Sequence, residues 1–110
     1  MNPWQQTTAF ASQLSSLVYE LDLFGKARQA LPDMLSTAQP LNGWTKADLD
    51  FLEIVNLSWK LCFIQESHQT EIEVTLTLWY GSEEVGYFDA SFDLNGELSS
   101  SALKFHISRE

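Results

Sequence analysis

The spacing of apolar residues changes period once, near Asn56, and that change fixes what the chain can fold into. Before it, Phe10, Leu14, Leu17, Val18, Leu21 and Phe24 recur at the interval that lines one face of a helix. After it, Ile72, Val74, Leu76, Leu78 and Tyr80 alternate with Glu71, Glu73, Thr75, Thr77 and Trp79. That two-residue period belongs to a strand with one buried face. Helices followed by strands joined through short turns predict an α+β fold, with N-terminal helices packed on one face of a four-stranded antiparallel β-meander.

Element ends carry their own signals. Asn2 before Pro3 reads as an N-cap with proline at the first helical position, opening a helix that runs to Gly25. A weaker helical patch at 26–31 meets Pro32, which is expected to start a short turn of helix through Leu35 and Ala38, ended by Pro40-Leu41-Asn42-Gly43. Thr45 with Asp48 resembles a capping box and predicts a helix over 46–55. In the first strand, Leu57, Trp59, Leu61 and Phe63 alternate with Ser58, Lys60, Cys62 and Ile64. Ser67-His68-Gln69-Thr70 makes a turn before the second strand, and Gly81-Ser82-Glu83-Glu84 makes the next. The third strand turns Phe88, Ala90, Phe92 and Leu94 inward and Tyr87, Asp89, Ser91 and Asp93 outward, and Asn95-Gly96 closes the last hairpin. The chain thus reads as a single domain over 1–110, mainly helical over 1–56 and sheet over 57–108.

The register of the last hairpin conflicts with itself. Far from the turn, a two-residue loop pairs Phe88 with Leu103 and Tyr87 with Lys104, placing Leu103, Phe105 and Ile107 on the core face. Near the turn, a three-residue loop with a bulge at Gly96 is better, because it pairs Phe92 with Leu98 rather than with Ser99. Both hold only if a β-bulge lies within Ser99-Ser100-Ser101.

Charge narrows the function. A chain of 110 residues can bury about two-thirds of its unfolded surface, and four Trp, three Tyr and seven Phe supply an ordinary core. The net charge of −9 argues against nucleic acid and against anionic membrane surfaces as partners. Cys62, the one cysteine, suits a reducing compartment, and residues 1–6 lack the basic and apolar regions of a signal peptide. The expected location is the cytoplasm. Between Leu61 and Leu103 stand eight carboxylates and no Lys or Arg, a one-sign segment that points to an external partner.

Catalytic groups are sparse. His68 lies in an expected turn and His106 on the outer side of the last strand, so neither reaches Cys62 through local structure. Glu71 and Glu73 stand about 7 Å apart along a strand, and Asp89 and Asp93 about 13 Å. The first spacing suits a glycosidase pair, but an open strand face lacks the concave site this chemistry needs. Asp93-Leu94-Asn95-Gly96 imitates part of an EF-hand loop, yet that alignment puts Ser91 at the first ligand and Ala102 at the bidentate glutamate. The expectation is no catalytic residue, no metal site and no cofactor.

What remains is a docking face. Glu71, Glu73, Trp79, Tyr87, Asp89 and Asp93 combine carboxylates with two large rings on the outer side of the strands, and Glu83 and Glu84 add charge at a hairpin tip. Aromatic anchors ringed by charge are characteristic of protein interfaces. A small acidic chain without chemistry of its own suits an inhibitor of a basic toxin such as a nuclease, with association steered to rates of about 10⁸–10⁹ M⁻¹s⁻¹.

The plan also resembles the immunity proteins of bacterial contact-dependent growth inhibition and related polymorphic toxin systems. The residues that carry the likeness are Trp44-Thr45-Lys46-Ala47-Asp48 leading into Asn56-Leu57-Ser58-Trp59-Lys60, and Gly86-Tyr87-Phe88-Asp89 followed by Asp93-Leu94-Asn95-Gly96-Glu97. The resemblance implies a cognate toxin bound tightly in the producer's cytoplasm, by a monomer or weak dimer. Two alternatives stay open. A type III-like secretion chaperone would be a dimer encoded beside an effector. A cystatin-like small-molecule binder would hold its ligand between helix and sheet, near Phe10, Trp59 and Phe92.

Overall fold

The computed structural model describes residues 3–37 and 44–107, with side chains throughout except at 3–11, 36, 37 and 46. The expectations for Asn2, the Phe10 side chain, Ala38 and the turn at 40–43 lie outside the described residues. Among the described residues three helices precede four strands: α1 (Pro3–Glu20), α2 (Leu23–Thr37), α3 (Lys46–Asp50), β1 (Glu53–Ile64), β2 (Gln69–Tyr80), β3 (Glu83–Asp93) and β4 (Leu98–Phe105). The strands form one antiparallel sheet in the order β1-β2-β3-β4. The expected fold, helices on one face of a four-stranded meander, is what the chain adopts.

The core follows from the two periods. Val18 of α1 and Leu23, Ala27 and Leu31 of α2 pack on Ile72, Val74, Leu76 and Leu78 of β2 and on Phe88, Ala90 and Phe92 of β3. Each fully buried Val, Leu, Ile or Phe side chain contributes about 1.5–3 kcal/mol. Trp44 closes the far end of this core, edge-on to Tyr80 at 5.3 Å and beside Phe105 at 5.3 Å, while its indole N–H donates to the Ile107 carbonyl at 2.9 Å.

The helical half departs from expectation. The first helix ends before Gly25, because Asp22 turns the chain with φ 50°. Its carbonyl accepts the first bond of α2, from Lys26 N–H at 2.9 Å. The Asp22 carboxylate lies over Gly25, where a Cβ has no room. Pro32 does not start a new turn but sits exposed inside α2. Burial of Leu31 together with Met34 and Leu35 carries the helix through it, although an interior proline costs about 3 kcal/mol. The capping box on α3 is present, with Thr45 Oγ1 accepting from Asp48 N–H and Asp48 Oδ2 from Thr45 N–H. That helix stops at Asp50 rather than 55, and Glu53 already pairs with Trp79.

Two bases tie the layers together. Lys26 donates to the Gly96 carbonyl at 2.9 Å, while Arg28 donates to the Ile54 carbonyl at 2.9 Å and to Asn56 Oδ1 at 3.0 Å. Helix α2 is thereby clamped to the β3–β4 turn and to the start of β1.

The conflicting hairpin register resolves as the alternation requires. Phe88 pairs with Leu103, Tyr87 with Lys104 and Phe92 with Leu98, and the register shifts so that Ser99 is the extra residue. Gly96, at φ 86°, ends a three-residue loop, with Asp93 N–H bonded to Glu97 O and Gly96 N–H to Asp93 O. Leu94, expected inward, lies in this loop and is exposed. The β1–β2 loop is 65–68, so β2 opens at Gln69. The β2–β3 loop is Gly81-Ser82, with Gly81 at φ 65°.

Candidate functional site

The face of the sheet away from the helices is built by four cross-strand rows, read from the pairings. Cys62, Glu71 and Asp93 form the first, and Lys60, Glu73, Ser91 and Ser100 the second. Ser58, Thr75, Asp89 and Ala102 follow, then Val55, Thr77, Tyr87 and Lys104. Beyond them Trp79 stands between Glu53 and Glu84. Seven of the eight expected contact residues therefore share one face: Glu71, Glu73, Trp79, Glu84, Tyr87, Asp89 and Asp93. Glu83 does not, because it pairs with Tyr80, whose ring packs in the core layer against Trp44. Val85 is the extra residue of a register shift there, so Glu83 and Glu84 begin β3 rather than forming the turn.

Carboxylates set opposite one another repel, and the Glu71–Asp93 pair, like Asp89 and Glu73, is relieved by named donors. Glu71 faces Asp93 across β2 and β3. It is only 7 % exposed, and the hydroxyl of Ser99, the bulged residue of β4, reaches across to bond its Oε2. Asp93 turns its Oδ1 to the N–H groups of Asn95 and Glu97, at 2.8 and 3.0 Å, and so holds the turn. Asp89 accepts from Thr75 Oγ1 at 2.6 Å. Glu73 pairs with Lys60 at 3.3 Å. The hydrogen bond that Lys60 donates to Glu73, and then the Glu73 charge, hold the Lys60 ammonium above the ordinary lysine pKa.

Trp79 lies on this face rather than under the helices. Its Nε1 donates to Thr77 Oγ1 at 3.1 Å, and Thr77 in turn donates to the Val55 carbonyl at 3.3 Å. The ring is half-buried, as is that of Tyr87 in the next row. Glu84 keeps its carboxylate at the rim, 4.0 Å from His106 Nε2.

Sequence reasoning missed Glu53, hidden inside an expected helix, and Lys60, Thr75, Thr77 and Ser99 as partners of the face. The signal for the last was present, since the bulge that the register demands is what turns an extra serine toward Glu71.

Cys62 is half-buried at the edge of this face, His68 lies against Phe63 with ring centroids 6.5 Å apart, and His106 Nε2 meets the Glu84 carbonyl at 3.1 Å. A separate shallow cleft of about 390 Å³ opens between α1 and β1, lined by Val18, Tyr19, Phe24, Leu57 and Trp59. Phe92, expected to line a ligand pocket, is instead filled in within the core. Among the described residues no helix is long and apolar enough to cross a membrane. Comparison with protein-family models, curated proteins and solved structures finds no match.

Proposed function

We propose that the chain is a toxin-neutralising immunity protein that docks a basic cognate toxin, in particular a nuclease, through the outer face of β2 and β3. One observation carries the reading: Trp79 and Tyr87 lie among Glu73, Glu84 and Asp89 on the helix-free side of the sheet. Half-buried rings give such a face apolar contact area, and the surrounding carboxylates draw in a cationic surface. The acids divide by task. Glu71 and Asp93 serve mainly to hold the bulge and the turn. Glu84 keeps its carboxylate at the rim, and Glu73 and Asp89, tied to Lys60 and Thr75, keep part of theirs exposed for a partner.

The test is protection of living cells. The toxin gene beside this chain, expressed alone, should arrest growth, and co-expression of this chain should restore it. Tyr87→Ala combined with Glu84→Lys should abolish protection while leaving the fold intact. Full protection by that variant would remove the proposed face from the mechanism.

A further inference from the structure

β1 is an edge of the sheet with little to protect it. Its first residues are covered, since Arg28 bonds the Ile54 carbonyl and the Asn56 side chain. Leu57 is then bulged out, opposite no residue of β2. From there residues 58–64 run in unbroken register along β2, with no strand among the described residues on their other side. Natural edges are blunted by proline, by inward charge or by brevity. This segment has no proline or glycine and a single charge, Lys60, already paired with Glu73. The opposite edge, β4, is shorter, serine-rich and bulged at Ser99.

The apolar residues here are exposed on both faces of the strand: Leu61 and Phe63 on the helix side, Ile64 on the other. Phe63, opposite Thr70, is 63 % exposed, and Tyr19, the tip of α1 beside residues 57–59, is 83 % exposed.

We propose that this edge pairs with the same edge of a second copy, antiparallel about a two-fold axis through Leu61, to give an eight-stranded sheet. Residues directly opposite in such a pair share a face, so the axis must pass through a residue. An axis at Lys60 sets two ammonium groups against each other. An axis at Leu61 uses the whole free segment, because Leu61 is the midpoint of 58–64. It also aligns Trp59 with Phe63 of the second copy, on both sides of a central Leu61 pair.

The same operation keeps both helix layers on one face but at opposite ends. Residues 57–59 of the second copy then lie opposite 63–65, and its α1 brings Tyr19 to the exposed Phe63. At about 200 Å² per aromatic side chain, those two rings alone offer on the order of 300 Å² per copy. Leu57, Leu61, Ile64 and the strand backbone extend that toward the roughly 1,200 Å² total of a stable complex. Charge selects the occupant. Glu71, Glu73, Glu84, Asp89 and Asp93 share the outer face of β2 and β3 and would draw a basic partner there, whereas β1 carries only Glu53 and Lys60, which cancel. A neutral apolar strand matches its own kind. The outer faces of both copies stay open, so this dimer is independent of what docks on them.

Sedimentation across a concentration series, together with directed cross-linking, tests the proposal on the full chain. The wild type should reach the mass of two 12.5 kDa chains. Leu61→Lys should remain a single chain, and so should Phe63→Lys, whose exposed site leaves the fold intact by circular dichroism. In Lys60→Cys, mild oxidation should give a covalent dimer joining the introduced thiol to Cys62 of the second copy, since opposite Cα atoms at about 4.5–5.5 Å suit a disulfide. A single-chain mass at every concentration, or a folded Phe63→Lys that still dimerises, would overturn the proposal. A dimer whose only cross-link joins the two Cys62 residues would overturn the Leu61 axis.

Discussion

Ser99 holds a nearly buried carboxylate in place with one hydroxyl. Glu71 stands opposite Asp93 and has given up most of its water, so Ser99→Ala leaves a buried acceptor without its donor. The expected loss is about 1–3 kcal/mol, at roughly 4–8 °C in melting temperature per kcal/mol for a domain near this size. A Ser99→Ala chain melting with the wild type would contradict the role given to the bulge. Lys60 offers a second check. Its pKa is raised in the folded chain, first by the hydrogen bond it donates to Glu73. The pair's contribution is therefore complete below the unfolded lysine value of about 10.4 and is lost as pH rises through the folded value. Glu73→Gln should move the Lys60 titration, followed by NMR, back down; an unmoved titration would show that another group sets it.

At the scale of elements, the strands were far more legible than the helices. Strict alternation pins a strand, because a one-residue slip exposes its whole apolar row. Two such strands in β3 and β4 had only one common solution, a bulge near Ser99, and the chain takes it. The helix boundaries turned on packing instead. Pro32 reads locally as a break, but Leu31, Met34 and Leu35 bury apolar surface only if α2 continues. Ile54-Val55 suits either period, so the end of α3 was misplaced and Glu53 was missed. Glu83 and Glu84, expected in the turn at the hairpin tip, instead begin β3, and the register shift at Val85 sets Glu84 beside Trp79 and Glu83 beside Tyr80. Two substitutions probe these elements. Pro32→Ala restores a helical N–H at an exposed site and should raise the melting temperature, by up to about 3 kcal/mol of stability. Gly86→Ala should do the reverse: a Cβ there meets the Lys104 carbonyl and the Phe105 Cα, backbone atoms that retreat only if β3 and β4 part. Overpacking of this kind costs about 1–3 kcal/mol or more, read as a lower denaturation midpoint.

Over the whole molecule, the bases and the outer-face carboxylates take different tasks. Lys26 and Arg28 spend their donors binding α2 to the sheet, and Lys60 neutralises Glu73 at one margin of the outer face. The carboxylates opposite the helices are left to dominate a face that also carries Trp79 and Tyr87. The sheet is also long for its chain. The Cα radius of gyration is 16.1 Å, against about 13 Å for a compact domain of this length, so one face can dock a partner while the β1 edge meets a second copy. The central claim is that the acidic outer face binds a basic toxin. Calorimetric titration of the basic toxin that the proposal expects to be encoded beside this chain, at low and at physiological salt, tests it most directly. The wild type should bind tightly and weaken as salt rises. Tyr87→Ala with Glu84→Lys should lose at least about 30-fold in affinity and much of the salt dependence. Equal affinity and equal salt dependence in the wild type and that variant would contradict the claim.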